Sequence, residues 1–395
     1  MDLQNLLVGV EEYTRQRLPQ YITELSALCA IDSYTYYKPG LDQMAAQLGE
    51  RMRNLGMDVT IVEQEAWGND LLGVLHGDGE GIILLLGHMD TVYPVGTAER
   101  RPVYLDGDRL LGPGVCDMKG CILLALYALE ALAAARYHNF REIRFLCVSD
   151  EEINERHCVD LMRQASAGCR AAFVLEAARS NGDIVSARKG NAWYTLSARG
   201  RAAHAGVEPE KGRNAVIEIA YQTLQFQSLN GWREGITINA GGISGGTQPN
   251  VVPDQAAAKF DLRFLHPQDR LATEEQWRKL MQNQRVPGVE LTLTMQSDYK
   301  EPLVATPQSL ALAEQARESA GMLGFSINHV LTGGASDGSY TSCYGIPTLD
   351  GLGPIGGLDH SPDEYLLLSS VAPRAALLAG LMVDYHMTPI LSHGK

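Results

Sequence analysis

Two histidines and a series of carboxylates stand where catalysis could use them. In GIILLLGHMDTVYPVG, His88 and Asp90 lie two residues apart directly after an apolar run, so in extended backbone both side chains point to one side. Asp90 is thereby placed to hold the second ring nitrogen of a metal-bound imidazole. In LLGPGVCDMKG, Asp117 follows a Gly/Pro-rich turn and opens a helical stretch, where it suits an N-cap and a metal bridge alike. FLCVSDEEINE leaves Asp150, Glu151 and Glu152 adjacent after another apolar run. Such a row repels itself unless a cation or water offsets it, and neighbours can divide the work, one ligating a metal while the other acts as base on an activated water. AAFVLEAAR ends on Glu176, and GPIGGLDHSPDEY carries His360 in a Gly-rich loop. Singly, each is an ordinary cap, loop or surface residue. Together, His88, Asp117, Glu152, Glu176 and His360 offer the mixture of imidazoles and carboxylates that suits zinc or manganese.

The elements that must position them follow from periodicity. Residues 4–29 and 41–55 have helical spacing. From about residue 57 the text alternates strand and helix: MDVTIVE, GIILLLG, a helix from Lys119 to about Arg136, then REIRFLCVS and AAFVLE. This predicts an α/β fold with a mainly parallel sheet covered by helices, and ligands leaving strand carboxyl ends would converge in one crevice. Between about 186 and 300 the pattern changes to strands (NAWYTLSARG, GITINAGGIS, DQAAAKFDLRF, VELTLTM) with two helical stretches, Arg213–Gln227 and Asp269–Met281. The α/β pattern then resumes, with a helix near Ser309–Met322, a strand near Ile346–Leu349 and a last helix from about Leu368 to His386. The expected organisation is a first domain in two parts, 1–185 and 301–395, interrupted by a smaller α+β domain at 186–300.

Charge narrows the partners. The chain has 33 Lys+Arg against 47 Asp+Glu, a net charge of -14, so its average surface repels nucleic-acid backbones and anionic membranes. The seven Cys form no CxxC pair and read as reduced thiols of a cytoplasmic protein. No secretory signal or membrane-spanning run is expected.

The segments GHMDTVYPVG, GPGVCDMKG, SDEE, GRAAHAGVEPEKGRNAV and LDHSPDEY, in this order over nearly the whole chain, resemble those of the co-catalytic zinc metallopeptidase family that includes glutamate carboxypeptidases, aminoacylases, acetylornithine deacetylase and succinyl-diaminopimelate desuccinylase. The resemblance implies a zinc-exopeptidase-like fold whose inserted domain is a lid and dimerisation element. It implies that Asp117 bridges two zinc ions, with manganese or cobalt able to replace either. One ion would also hold His88 and Glu176, the other Glu152 and His360. Glu151 would be the general base and Asp90 would orient His88. His204 would reach the active site of the partner subunit in a homodimer and stabilise the oxyanion. Asn250 and Arg263 would bind substrate, the guanidinium gripping a carboxylate, and Gly333 and Gly334 would form a loop beside it. Cys116 before Asp117 and Ala177-Ala178 after Glu176 depart from the family pattern.

The implied reaction is hydrolysis of an amide or peptide bond next to a free carboxylate, nearest to the glutamate carboxypeptidase branch through the segment around His204. An N-acyl amino acid deacylase would use the same metals and base, so the substrate is a small peptide or an N-acyl amino acid. A catalytically silent binding homologue predicts erosion of the ligand set or base, and His88, Asp117, Glu151, Glu152, Glu176 and His360 are all present.

Overall fold

The computed structural model describes residues 2–153, 157–296 and 299–384, and the chain divides into two compact units. The first takes residues 1–187, 305–331 and 336–395, and the second takes 188–304 and 332–335.

The first unit is built on a six-stranded sheet in the order Asp58–Val62, Asp70–His76, Glu142–Val148, Ile82–His88, Ala171–Val174, Thr348–Leu349. The last four run parallel, and the first two add antiparallel pairings. Ile82–His88 is buried at every residue because helices cover both faces of the sheet, which is why it reads as an unbroken apolar run. Its register sets His88 opposite Val148 and Leu86 opposite Val174. The carboxyl ends of three neighbouring strands therefore lie side by side, and His88, the Asp150–Glu152 row and Glu176 follow from them.

Helix Lys119–Ala134 is buried along almost its whole length and packs with Leu3–Gln16 and Leu368–Asp384. Within that last helix Arg374 is fully buried. Its guanidinium donates to the carbonyls of Gly353 and Gly182, both at 2.9 Å, and of Gly351. The Gly353 N–H in turn donates to the Glu176 carbonyl at 2.9 Å, so the last helix braces the strand end that carries Glu176.

Several elements differ from expectation. The stretch expected over 4–29 is two helices, Leu3–Gln16 and Leu18–Cys29, because Arg17 leaves helical geometry and Pro19 starts a new first turn. Asp70–His76 is a strand that the sequence reading passed over. So is a small sheet of Tyr104–Asp106, Arg109–Leu111, Tyr365–Leu367 and Gly356–Gly357, whose strands of two or three residues are too short to carry a period. That sheet joins the segment before Asp117 to the segment around His360. The last helix is described to Asp384, and positions 385 and 386 lie outside the described residues.

The second unit is an antiparallel sheet in the order Thr237–Gly245, Gln255–Phe264, Gly190–Arg199, Glu290–Met295. Helices Ala215–Gln227 and Pro267–Leu280 cover one face. Gln255–Phe264 alternates buried and exposed residues, the period-two pattern of a strand with one wet face. Trp277 is fully buried and stacks on Phe226 at 4.8 Å, with Phe260 beside it at 5.7 Å. Asn214 caps the first helix by accepting from the Ile217 N–H. Among the described residues no helix is long and apolar enough to cross a membrane.

Candidate metal centre

His88 ends the central strand with its ring buried. Its Nδ1 lies 3.0 Å from the Asp90 carbonyl oxygen and 3.3 Å from the Asp90 carboxylate. The orienting group is thus chiefly the Asp90 main chain, with the carboxylate behind it. That carboxylate does a second job: it accepts the N–H groups of Glu151 and Glu152, each at 3.2 Å, and the Thr35 hydroxyl at 2.8 Å. Asp90 therefore fixes both the histidine and the short 3-10 turn Glu151–Ile153.

Asp117 does not cap the helix that follows. That helix begins at Lys119 and the capping position is Met118, which leaves both Asp117 oxygens for other partners. Oδ1 is 3.0 Å from His88 Nε2, and Oδ2 is 3.1 Å from His360 Nε2. His360 Nε2 is also 3.1 Å from Glu152 Oε2, and His88 Nε2 is 3.8 Å from Glu176 Oε1. The five side chains thus form two groups that share Asp117: His88 with Glu176, and His360 with Glu152. His360 has a left-handed backbone (φ 62), which for a residue with a side chain costs about 1–3 kcal/mol and persists only where its surroundings hold it.

The charges here are held unnaturally close. Hydrogen bonds to Asp117 and Glu152 hold the His360 imidazolium up to about 11. Burial alone would lower the His88 value, and Asp117 and Asp90 outweigh it, leaving His88 well above its ordinary range. Burial, then the Asp117 charge, push Glu176 well above the usual carboxylate range. Glu152 is pushed up to about 7 by burial, with His360 opposing. Protons crowd onto this cluster because its carboxylates need positive charge nearby. Divalent cations answer the same need, and the donor atoms of His88, Asp117 and Glu152 lie within 4.8 Å of one another. The residues present therefore fit bound metal.

Asp150 turns away from this centre. It meets His157 Nδ1 at 2.9 Å and accepts the His157 N–H at 2.8 Å. His157 Nε2 contacts Ser149 Oγ at 3.2 Å, Asp70 lies at 3.8 Å, and the ring stacks on Trp67. With both ring nitrogens engaged, this knot anchors the start of the acidic turn. The sequence reading gave Asp150 no role beside Glu151 and Glu152 and passed over Asp70 and His157.

The residues expected to touch substrate lie in the second unit. His204 is exposed, bridges to Val251, and its Nδ1 accepts the Gly206 N–H at 3.2 Å; the Ala205 N–H donates to the Asn250 carbonyl at 3.0 Å. Arg263 pairs with Asp261 at 2.9 Å and reaches the Gly333 carbonyl at 3.4 Å. The Gly334 carbonyl accepts from Arg188 at 3.3 Å. The structure thus brings His204 beside Asn250 and Arg263 beside Gly333, with Gly334 next in the same loop.

Known proteins bear on this arrangement. The chain is 26% identical over 374 residues to carboxypeptidase G2 of Pseudomonas sp. (strain RS-16), covering 93% of this chain and 89% of that one. It is 27% identical over 334 residues to succinyl-diaminopimelate desuccinylase of Xanthomonas oryzae pv. oryzae (strain PXO99A), covering 79% and 86%. Among solved structures, aminopeptidase PepT from Bacillus cereus ATCC 10987 superimposes with a TM-score of 0.79 at 22% identity, over 92% of this chain and 97% of that one. The M20 family metallo-carboxypeptidase Sso-CP2 from Sulfolobus solfataricus gives 0.70 at 16% identity, over 93% and 99%. At these identities the superpositions speak for the fold. The sequence model of Peptidase family M20/M25/M40 matches residues 84–384, well over half of the chain, and the protein belongs to that family of hydrolytic enzymes.

Proposed function

We propose that this protein is a two-metal hydrolase that cuts an amide or peptide bond next to a free carboxylate, in the manner of a glutamate carboxypeptidase. The observation that carries this reading is the sharing of Asp117 by two donor groups, His88 with Glu176 and His360 with Glu152. Two divalent cations held there, zinc or with manganese or cobalt in place of either, would supply Lewis-acid polarisation of the scissile carbonyl and an acidified water.

The chain's own groups do the rest. Glu151, next to the ligand Glu152 on the turn fixed by Asp90, takes the proton of the attacking water and delivers it to the departing amine. His204 steadies the developing oxyanion, Asn250 and Arg263 bind substrate, and the Arg263 guanidinium with the loop of Gly333 and Gly334 receives its carboxylate. The second unit acts as lid and dimerisation element of a homodimer, with His204 serving the partner's site. Supporting this, Thr237–Gly245 is an edge strand of its sheet, and Ile217 and Leu224 stand exposed on helix Ala215–Gln227. Cys29, Cys116, Cys121, Cys147 and Cys169 are free thiols, which accords with a cytoplasmic enzyme; cell fractionation tests that placement.

The test of the chemistry is Glu151→Gln with metal content measured alongside turnover. Metal should stay at the wild-type level while kcat falls by about 10²–10⁴. Full activity in that variant with full metal would remove Glu151 from the role. A second reading, deacylation of an N-acyl amino acid, is supported by the desuccinylase relative. A panel of acyl-glutamates, dipeptides and N-acetyl amino acids separates the two by kcat/KM.

A further inference from the structure

We infer that Glu364 is a positioning residue for the metal centre, a buried carboxylate that locks the Asp117 turn to the His360 loop. The inference rests on the two-metal reading above and names the device that keeps the shared ligand in place.

Glu364 is fully buried. Its Oε1 accepts the N–H of Cys116 at 2.8 Å and of Asp117 at 2.9 Å. Its Oε2 accepts the N–H of Gly114 at 2.9 Å and the Tyr93 hydroxyl at 2.7 Å. Converging main-chain N–H groups of this kind form an anion-binding hollow, and here the protein fills it with its own side chain. Gly114 has φ 76, a left-handed conformation that suits glycine, and it belongs to the same turn.

These bonds join separate parts of the sequence that meet only in the fold. Tyr93 comes from the segment of His88 and Asp90. Gly114, Cys116 and Asp117 come from the turn of the shared ligand. Glu364 itself stands four residues after His360. The Tyr93 hydroxyl also contacts the Ser361 carbonyl at 2.9 Å, and Arg101, lying over the Tyr93 ring, donates to the same carbonyl at 3.2 Å. The peptide N–H held by Glu364 belongs to the residue whose two carboxylate oxygens face His88 and His360. A swing of that turn would disturb both halves of the centre at once, and metal donors must be kept within about 0.5 Å of their working positions.

The test is metal retention by Glu364→Gln and Tyr93→Phe in the full chain. The amide keeps the shape but has one acceptor oxygen, so one pair of donors meets an NH2 group. Zinc-loaded wild type and variants are titrated with a competing chelator, and zinc-to-protein ratio, melting temperature, kcat and KM are recorded. Met52→Ala, which truncates a buried side chain of helix Lys38–Asn54, controls for general loss of stability.

We expect Glu364→Gln to bind zinc about 10–100-fold more weakly at both positions, with kcat recovered at saturating zinc and KM close to wild type. Tyr93→Phe should show the same change at smaller size, and Met52→Ala should lower the melting temperature without changing zinc affinity. Wild-type zinc affinity in Glu364→Gln, or equal weakening in Met52→Ala, overturns the inference while leaving the two-metal reading intact. Should Glu364→Gln not fold, Tyr93→Phe decides: weaker retention supports the inference and unchanged retention overturns it. A wild type that holds no zinc overturns both.

Discussion

Adding zinc to the metal-free protein at pH 8 should expel at least one proton for each pair of ions bound. The count comes from which donors carry protons before metal arrives. His360 is held up to about 11 by Asp117 and then Glu152. His88 lies well above its ordinary value because Asp117 and Asp90 overcome the opposing effect of burial. Burial and then the Asp117 charge raise Glu176 well above the usual carboxylate range. Any proton such a group carries must leave before it can ligate. Glu152, pushed up to about 7, is mostly ionised at pH 8 and mostly protonated at pH 6, so the count should rise by about one at the lower pH. Isothermal titration in two buffers of different ionisation enthalpy measures this number directly. The same shifts fix the sign of the stability change. Raised folded values mean that the metal-free fold binds more protons than the unfolded chain, so its stability falls as pH rises. For Glu152 the loss begins near 4.5 and is complete above about 7, and for His360 it runs from 6.5 to about 11. The melting temperature of metal-free protein should therefore drop between pH 5 and 10, and the loaded protein should drop less. Release of less than one proton per pair, or identical pH slopes for the two forms, would refute the proton-for-metal reasoning.

Two further outcomes probe the second unit. Arg263→Ala should raise KM for a carboxylate-terminated substrate by about 10–100-fold, the worth of charge-assisted hydrogen bonds, with little effect on the same substrate bearing a carboxamide; equal losses on both would exclude Arg263 from carboxylate recognition. Mixing inactive Glu151→Gln and His204→Ala protomers under exchange should restore activity to about a quarter of wild type, because one site of each mixed dimer is then complete; no recovery, with mixed dimers demonstrated, would mean that His204 does not act across the interface.

His88, Glu152, Glu176 and Asp117 were legible in sequence because they follow apolar strands or precede a buried helix, runs that announce themselves by period and composition, whereas His360 in its Gly-rich loop stood out only beside the others. His88, Glu152 and Glu176 follow adjacent strands of one sheet, so the expectation of a parallel core already implied their meeting. Glu364 stood inside a recognised segment and was given no role, since a side chain that binds main-chain N–H groups leaves no periodic trace. Asp70 and His157 escaped for the same reason, being 87 positions apart in the text and 3.8 Å apart in the fold. Asp117 was ambiguous between cap and ligand because the two demand the same residue before a helix; the start of the helix at Lys119 resolves the capping half.

The bracing of the Glu176 strand end by Arg374 bears on how the enzyme is made. Ribosomes deliver the chain from the amino end, and His88, Asp117, Glu152 and Glu176 emerge long before His360 and Arg374. The last helix then adds the hydrogen bonds from Arg374 to the Gly351 and Gly353 carbonyls. The second unit, complete by residue 335, can fold while the first is still missing its closing segment. His360 is the last of the five candidate ligands to be synthesised, so the set that shares Asp117 is complete only when the C-terminal part of the chain has been made.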